Sequence, residues 1–92
     1  MNRSAAQLRI EGRVQGVGFR YFAVRAAARY NVKGWVRNEF DGSVSAYCEG
    51  KDSDVESFIQ WCRKGPPSAH VTNTSVKKLP FRGVYSRFQI EY

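Results

Sequence analysis

The stretch GRVQGVGFR, residues 12–20, joins two sequence patterns of different period and sets the arrangement of the rest of the chain. Before it, Leu8 and Ile10 alternate with polar residues, which predicts a half-buried β-strand over residues 7–13. After it, apolar residues recur every three or four positions, which predicts an amphipathic helix. These residues are Phe19, Phe22, Ala23, Ala26, Ala27 and Tyr30. The stretch, called loop 12–20 below, therefore connects a strand to a helix.

Loop 12–20 contains three glycines and no acidic residue. A glycine-bearing loop that enters a helix can turn several backbone N–H groups inward, and these donors together with the helix dipole favour a bound anion. Arg20 lies in the first turn of the helix, where the dipole disfavours a cation unless an anion lies close by. We expect this anion to be a phosphate.

Loop 12–20 does not match the common nucleotide-binding motifs. A nucleotide P-loop ends in Gly-Lys followed by Ser or Thr, and a dinucleotide-binding fingerprint needs an acidic residue after a second strand. Neither pattern fits this chain. Ordinary turn chemistry does fit, because glycines are common between a strand and a helix and arginines are common on surfaces. The loop alone leaves the phosphate site and the simple turn both open.

The composition predicts one small basic domain. The 92 residues suffice for a single core, and we expect residues 1–6 to form a flexible N-terminal leader before one domain over residues 7–92. The formal net charge of +7 favours phosphorylated metabolites, nucleic acid or an acidic surface as ligands. No apolar run is long enough to span a membrane, and the first residues lack a signal-peptide core. We expect a cytoplasmic protein with no membrane partner.

Cysteine and histidine do not suggest a catalytic or metal centre. Cys48 and Cys62 each continue the apolar row of a predicted strand or helix, so we expect two buried free thiols. His70 is the only histidine, and nothing near it supports a nucleophilic triad. No cluster of metal ligands is visible, and we expect neither a metal nor another cofactor.

The remaining patterns predict two more strands, a second helix and two final strands. The first helix is predicted to end at Tyr30–Asn31. After it, the patterns predict strands over 32–38 and 43–49, a helix over 53–64, and strands over 70–79 and 88–92. Asp41-Gly42 signals a hairpin turn. Ser53 and Glu56 match a capping box, and Gly65 with the following prolines ends the second helix.

This β-α-β-β-α-β order with a short C-terminal strand predicts an α+β, ferredoxin-like sandwich, an antiparallel sheet with two helices on one face. In that topology the third strand lies between the first two, which run parallel. Their ends then share one edge of the sheet, about 10 Å apart across two strand spacings. Asn38 ends the second strand, so we expect it to face loop 12–20, although an asparagine before a hairpin is also a common turn residue.

Two segments resemble the acylphosphatase family. They are loop 12–20 and GWVRN at residues 34–38, the latter followed by Gly42, Val44 and Gly50 at the family's spacing. The resemblance covers nearly the whole chain from the first strand onward. It implies a ferredoxin-like fold and hydrolysis of acyl phosphates to a carboxylate and inorganic phosphate.

The resemblance also implies the roles of individual residues. It implies that Arg20 binds the phosphoryl group and that Asn38 positions the attacking water. The phosphate-binding amides that it implies are those of Gln15, Gly16, Val17, Gly18, Phe19 and Arg20. The chemistry is consistent, because a carboxylate leaving group with a pKa of about 4 needs no general acid. Phosphoryl transfer through a loose transition state mainly needs charge stabilisation and in-line positioning.

The alternative function is a nucleic-acid-binding ferredoxin-like module. Its support is the positive charge and aromatic residues such as Trp35, Tyr47 and Phe88. The aromatic motif of RNA-binding sheets is missing, so we expect a small-molecule acyl phosphate, with inorganic phosphate or another anion at the loop, and no nucleic acid. A further alternative keeps the fold, because acylphosphatase-like domains occur within larger carbamoyl-transfer maturation proteins. We expect a freestanding monomer.

Overall fold

The structure is a computed structural model that describes residues 2–92, and their elements follow the predicted order. The elements are β1 (Arg3–Arg13), α1 (Phe19–Tyr30), β2 (Lys33–Asn38), β3 (Val44–Lys51), α2 (Asp52–Lys64), β4 (His70–Leu79) and β5 (Phe88–Ile90). Both helices pack against the sheet and against each other. The predicted ferredoxin-like sandwich is confirmed.

The five strands lie in the order β4-β1-β3-β2-β5. Since β3 is antiparallel to both β1 and β2, these two strands run parallel and end at the same edge, as predicted. The sheet is mixed rather than wholly antiparallel, because β5 pairs parallel with β2. β4 and β5 are the two outermost strands, at opposite edges of the sheet. The chain reverses direction between them, so β5 runs in the same direction as β2.

The start of β1 differs from the prediction. The strand begins at Arg3, and residues 3–6 pair with residues 48–51 of β3. Ala5 and Ala6 are fully buried, so the flexible leader predicted over residues 1–6 is wrong for residues 3–6, while Met1 lies outside the described residues. The strand was missed because two adjacent buried alanines point to opposite faces of the sheet and show no apolar-polar alternation.

The core lies between the sheet and the helices. The residues that the two helices bury are Phe19, Ala23, Ala26 and Ala27 from α1 and Val55, Phe58, Ile59 and Cys62 from α2. Cys48 and Cys62 are buried free thiols, as predicted. Burial raises the pKa of the Cys48 thiol to about 12, so it stays protonated and unreactive at neutral pH. No helix within residues 2–92 has the length and apolar character needed to cross a bilayer.

Most predicted element ends are confirmed, but the capping box is wrong. Asn31 ends α1 in the left-handed conformation with φ 57°, and Gly65 ends α2. Because β3 continues to Lys51, α2 begins at Asp52 and has no side-chain cap. Ser53 therefore lies inside the first turn. The Glu56 carboxylate instead accepts hydrogen bonds from Gln60 and Lys78.

Candidate active site

A small cavity lies where loop 12–20 meets the end of β2. Its volume is about 180 Å³. The residues that line it are Val14, Gly16, Gly18, Phe19, Arg20, Tyr21, Asn38 and Ile90. The shared edge of β1 and β2 thus brings Arg20 and Asn38 to one cavity, as the strand order predicted. Among the predicted phosphate-binding residues, Gln15 and Val17 do not line it.

The backbone of loop 12–20 leaves the N–H groups of residues 15–20 without partners. Gly16 and Gly18 have φ of 72° and 79°, in the left-handed region that other residues seldom adopt. The first turn of α1 closes with a hydrogen bond from the Phe22 N–H to the Gly18 carbonyl, 3.0 Å long. The N–H groups of Gln15–Arg20 make no hydrogen bond with any part of residues 2–92. Left-handed residues ahead of a helix form the backbone concavity that binds anions.

Side chains hold the loop in this conformation from two directions. The Gln15 Nε2 group donates to the carbonyl oxygens of Glu39 and Ser43 at 2.8 and 2.9 Å. On the other side, the Ser68 hydroxyl donates to the Val17 carbonyl at 3.0 Å. The Gln15 side chain therefore ties the loop to the turn that follows Asn38. The loop is fixed by its side chains and carbonyls, so its N–H groups remain available.

The turn between β2 and β3 is itself fixed by Asp41. Its carboxylate accepts hydrogen bonds from the Ser43 hydroxyl at 2.6 Å and the Ser43 N–H at 3.0 Å, and it pairs with Arg9. These contacts, led by the two hydrogen bonds from Ser43, hold the pKa of Asp41 well below its usual range. Asp41 is therefore ionised at neutral pH, and the turn keeps the two carbonyls that bind the Gln15 side chain in place.

Arg20 has no acidic partner among the described residues, like the other arginines of α1 and unlike Arg9 and Arg37 of the sheet. Arg9 pairs with Asp41, and Arg37 pairs with Glu39. Within residues 2–92 the guanidinium of Arg20 makes no ion pair, and its aromatic neighbour is the exposed ring of Tyr92, whose centroid lies 5.4 Å from Cζ. A guanidinium with all its donors free, beside unpaired backbone N–H groups, matches a phosphoryl group in charge and geometry.

Asn38 supplies a second kind of polar group to the cavity. It ends β2 opposite Val44 of β3, and its side-chain amide makes no hydrogen bond with the residues that the structure describes. A free amide presents both a donor and an acceptor, so it can hold a water molecule in one orientation. The cavity therefore has unpaired backbone donors on its loop side and a free side-chain amide on its β2 side.

Comparison with known proteins decides the family. The acylphosphatase family model matches residues 6–90. The chain belongs to the acylphosphatase family. An acylphosphatase from Nocardioides sp. is 49% identical over 84 residues, which cover 91% of this chain and 85% of the relative. The crystal structure of acylphosphatase from Bacillus subtilis is 37% identical with a TM-score of 0.92, over 97% of this chain and 99% of that chain. The protein is accordingly a hydrolase of the acylphosphatase family.

The acylphosphatase fold also occurs within a much larger protein. The structure of full-length HypF in the phosphate- and nucleotide-bound form is 33% identical to this chain with a TM-score of 0.85. The match covers 99% of this chain but only 12% of HypF. The same sandwich thus exists both as a whole acylphosphatase and as one part of a longer chain.

Sequence reasoning missed three residues that line the acylphosphatase cavity. Val14 lies within loop 12–20 and Tyr21 follows Arg20 directly, so both could have been found from their place in the chain. Ile90 lies in the predicted last strand, which the sequence did not connect with the site. It reaches the cavity because β5 pairs with β2 in the register Val36–Ile90. No local sequence pattern predicts that β2 and β5, which are far apart in the chain, pair in parallel.

His70, the possible metal-ligating side chains and the larger surface depressions all lie outside the cavity of Arg20 and Asn38. His70 is exposed at the start of β4, opposite Arg13, and does not line the cavity. Residues 2–92 contain no group of three or more His, Cys, Asp or Glu side chains arranged to hold a metal ion. Larger open depressions of about 370 and 660 Å³ lie around Trp61 between α1 and α2, but neither includes loop 12–20 or Asn38.

Proposed function

We propose that this protein hydrolyses the carboxyl-phosphate bond of small acyl phosphates. The phosphoryl group is held by Arg20 and the N–H groups of residues 15–20, and Asn38 positions the water that attacks it. The observation that carries the proposal is the cavity in which an unpaired guanidinium, unpaired backbone donors and a free side-chain amide meet. The family of the chain supports the same reaction.

The site would act mainly by charge stabilisation and positioning. In the loose transition state of phosphoryl transfer, negative charge is spread over the three equatorial oxygens. Preorganised N–H donors and a two-pronged guanidinium stabilise that charge without reorganising during the reaction. Asn38 lines the same cavity as these donors, and an in-line reaction requires the water that it holds to lie opposite the leaving group.

Protons and electrons balance without an acidic or basic side chain. The water oxygen forms the new P–O bond as the bond from phosphorus to the acyl oxygen breaks. The carboxylate leaves with the electron pair, and its pKa of about 4 means that it needs no proton. The proton of the water passes to an oxygen of the phosphate. The products are a free carboxylate and inorganic phosphate.

Hydrolysis of benzoyl phosphate by the purified protein, without added metal, tests the proposal. We expect the wild type to be active and Arg20→Gln to lose at least about 100-fold in kcat/KM, because one bidentate charged contact is removed. Arg29→Gln is the matched control, since Arg29 is exposed on the same helix and does not line the cavity. An Arg20→Gln variant as active as Arg29→Gln would contradict the proposal.

The leaving group provides a second, independent test. Phenyl phosphate carries the same phosphoryl group, but its leaving group has a pKa of about 10 and needs a general acid that the cavity does not supply. We expect acetyl, benzoyl and carbamoyl phosphate to be hydrolysed and phenyl phosphate to bind without turnover. Comparable rates for phenyl and benzoyl phosphate would contradict a mechanism that lacks a general acid.

Two of the three aromatic residues that favoured a nucleic-acid module, Tyr47 and Phe88, pack against other rings and do not form an open platform. Tyr47 is only 5% exposed, with the ring of Tyr85 centred 5.3 Å away. Phe88 packs against Phe58, with ring centroids 5.3 Å apart. These rings cannot stack on bases without local unfolding.

We also propose that the protein acts as a monomer in the cytoplasm. Analytical ultracentrifugation tests the oligomeric state, and localisation of a tagged chain tests the compartment.

A further inference from the structure

Glu49 is a buried carboxylate that lies outside the cavity. It is 1% exposed, in the part of β3 that pairs with both β1 and β2. Side chains alternate along a strand, and Cys48 lies in the core, so Glu49 points to the sheet face opposite the helices. A buried carboxylate is costly unless its oxygens are hydrogen-bonded. Its partners therefore show what it does.

The partners of Glu49 come mainly from one irregular segment, residues 80–87. Its Oε1 accepts from the Tyr47 hydroxyl at 2.9 Å and from the N–H groups of Gly83 and Arg82 at 3.2 and 3.4 Å. Its Oε2 accepts from the Tyr85 N–H at 3.4 Å. Within residues 2–92 it has no basic side chain as an ion-pair partner. The carboxylate thus fastens segment 80–87 to the sheet by three backbone hydrogen bonds.

Segment 80–87 leads directly into β5, which has few attachments of its own. The strand is only three residues long. At its ends, the Gly34 N–H donates to the Arg87 carbonyl at 3.1 Å and the Glu91 N–H donates to the Val36 carbonyl at 2.8 Å. β5 carries Ile90, which forms an apolar part of the cavity wall beside Arg20 and Asn38. A short edge strand takes its position in part from the segment that precedes it.

We infer that Glu49 is a positioning residue for the acyl phosphate site, acting through segment 80–87 on β5 and Ile90. This inference rests on the proposed function. Loosening the segment lets the Ile90 wall shift, while the groups that contact the phosphoryl group remain. The expected effect is therefore weaker binding of substrate and phosphate, with a smaller change in kcat.

Glu49→Gln tests the inference, because the amide keeps the size of the side chain but replaces one acceptor oxygen by a donor. We expect KM for benzoyl phosphate and Kd for inorganic phosphate to rise about fivefold, because the Ile90 wall shifts while the groups that contact the phosphoryl group remain. Tyr47→Phe is the matched control, since it leaves the three backbone bonds intact, and its constants stay within about twofold of the wild type. A folded Glu49→Gln variant with wild-type KM and Kd would overturn the inference.

A double-mutant cycle with Ile90→Ala separates a positioning role from general destabilisation. If Glu49 acts through β5, the double variant has the same KM as Ile90→Ala alone. If the two residues act independently, the fold-changes in KM of the two single variants multiply in the double variant. Multiplicative effects would overturn the inference. If Glu49→Gln does not fold, Glu49→Asp replaces it in the cycle with the same two outcomes. A wild type without hydrolysis or phosphate binding would overturn the proposed function as well, whereas an active wild type with unaffected Glu49 variants overturns this inference alone.

Discussion

Loop 12–20 and segment 80–87 are two irregular stretches with opposite uses for their backbone N–H groups. In segment 80–87, the N–H groups of Arg82, Gly83 and Tyr85 donate to the buried carboxylate of Glu49. In loop 12–20 the N–H groups of residues 15–20 have no acceptor among the described residues. One stretch contains its own anion, and the other leaves a place for an external one. What a loop can bind therefore follows from where its backbone donors point.

The two stretches also differ in what fixes them. Segment 80–87 is held through its N–H groups, so these donors are used for stability. Loop 12–20 is held through the Gln15 side chain and the Val17 carbonyl, which leaves its N–H groups unused. A loop that is held by its carbonyls and side chains keeps its backbone donors both free and fixed in position.

The largest expected effect comes from giving loop 12–20 a carboxylate of its own. In Asn38→Asp, the new carboxylate faces the loop donors and Arg20, much as Glu49 faces segment 80–87. We expect benzoyl phosphate turnover and phosphate binding to fall about 1,000-fold, because the anion site is occupied from within and repels the substrate. Steady-state kinetics and calorimetry measure both. Retained phosphate affinity would show that the loop donors do not face Asn38.

Asn38→Ala removes the side-chain amide without adding a charge, so it separates the loss of the amide from the effect of the carboxylate in Asn38→Asp. We expect kcat to fall about 100-fold, since the attacking water loses its positioning, while the Kd of phosphate changes by less than about threefold. Kinetics on benzoyl phosphate combined with phosphate titration gives both values. Wild-type turnover in Asn38→Ala would remove the role proposed for this residue.

Gln15→Ala is expected to have an intermediate effect by loosening loop 12–20. It removes two part-buried hydrogen bonds to the β2–β3 turn, so we expect the free energy of unfolding to fall by about 1–2 kcal/mol and kcat/KM by about tenfold. Urea denaturation and kinetics check these values. Gln60→Ala, which removes an exposed amide on α2 away from the cavity, is the control and should leave both nearly unchanged. An unaltered kcat/KM in Gln15→Ala would mean that the loop holds its shape without this tie.

The smallest effect concerns Asp41 and acid pH. Because hydrogen bonds from Ser43 lower the folded pKa of Asp41, its contribution to stability is fully present above the unfolded pKa of about 4 and is lost as pH falls towards the folded pKa. Asp41→Asn should therefore be less stable than the wild type at pH 6, with the difference shrinking from pH 4 downward. Thermal unfolding across this range measures it. A difference that grows as the pH falls would contradict the assignment.

Local patterns were sufficient to predict most of the fold and the meeting of Arg20 and Asn38 at one cavity. Periodicity located the helices and most of the strands, and the strand order alone brings Arg20 and Asn38 to one edge of the sheet. The two errors at element ends are the flexible leader over residues 1–6 and the capping box at Ser53. Both arise from the pairing of Arg3 with Lys51. This pairing turns the predicted leader into strand and extends β3, so that α2 begins ahead of Ser53. Such long-range pairing leaves no local trace in a sequence.

The same limit explains why the supporting contacts of the site were not predicted. The Gln15 side chain reaches carbonyls in the turn between β2 and β3, and Ile90 reaches the cavity through the parallel pairing of β5. Glu49 looked like an ordinary residue at the end of a strand, because nothing nearby indicates that segment 80–87 covers it. Residue types and local spacing pointed to Arg20 and Asn38, whereas the groups that hold the cavity together depend on the whole fold.

Titration of isotope-labelled protein with inorganic phosphate, followed by the amide resonances, tests the central claim most directly. The account predicts saturable shifts concentrated in the N–H groups of residues 15–20, none of comparable size at Arg82, Gly83 and Tyr85, and loss of the effect in Arg20→Gln. Shifts spread evenly over the basic surface, or an unresponsive loop 12–20, would contradict it.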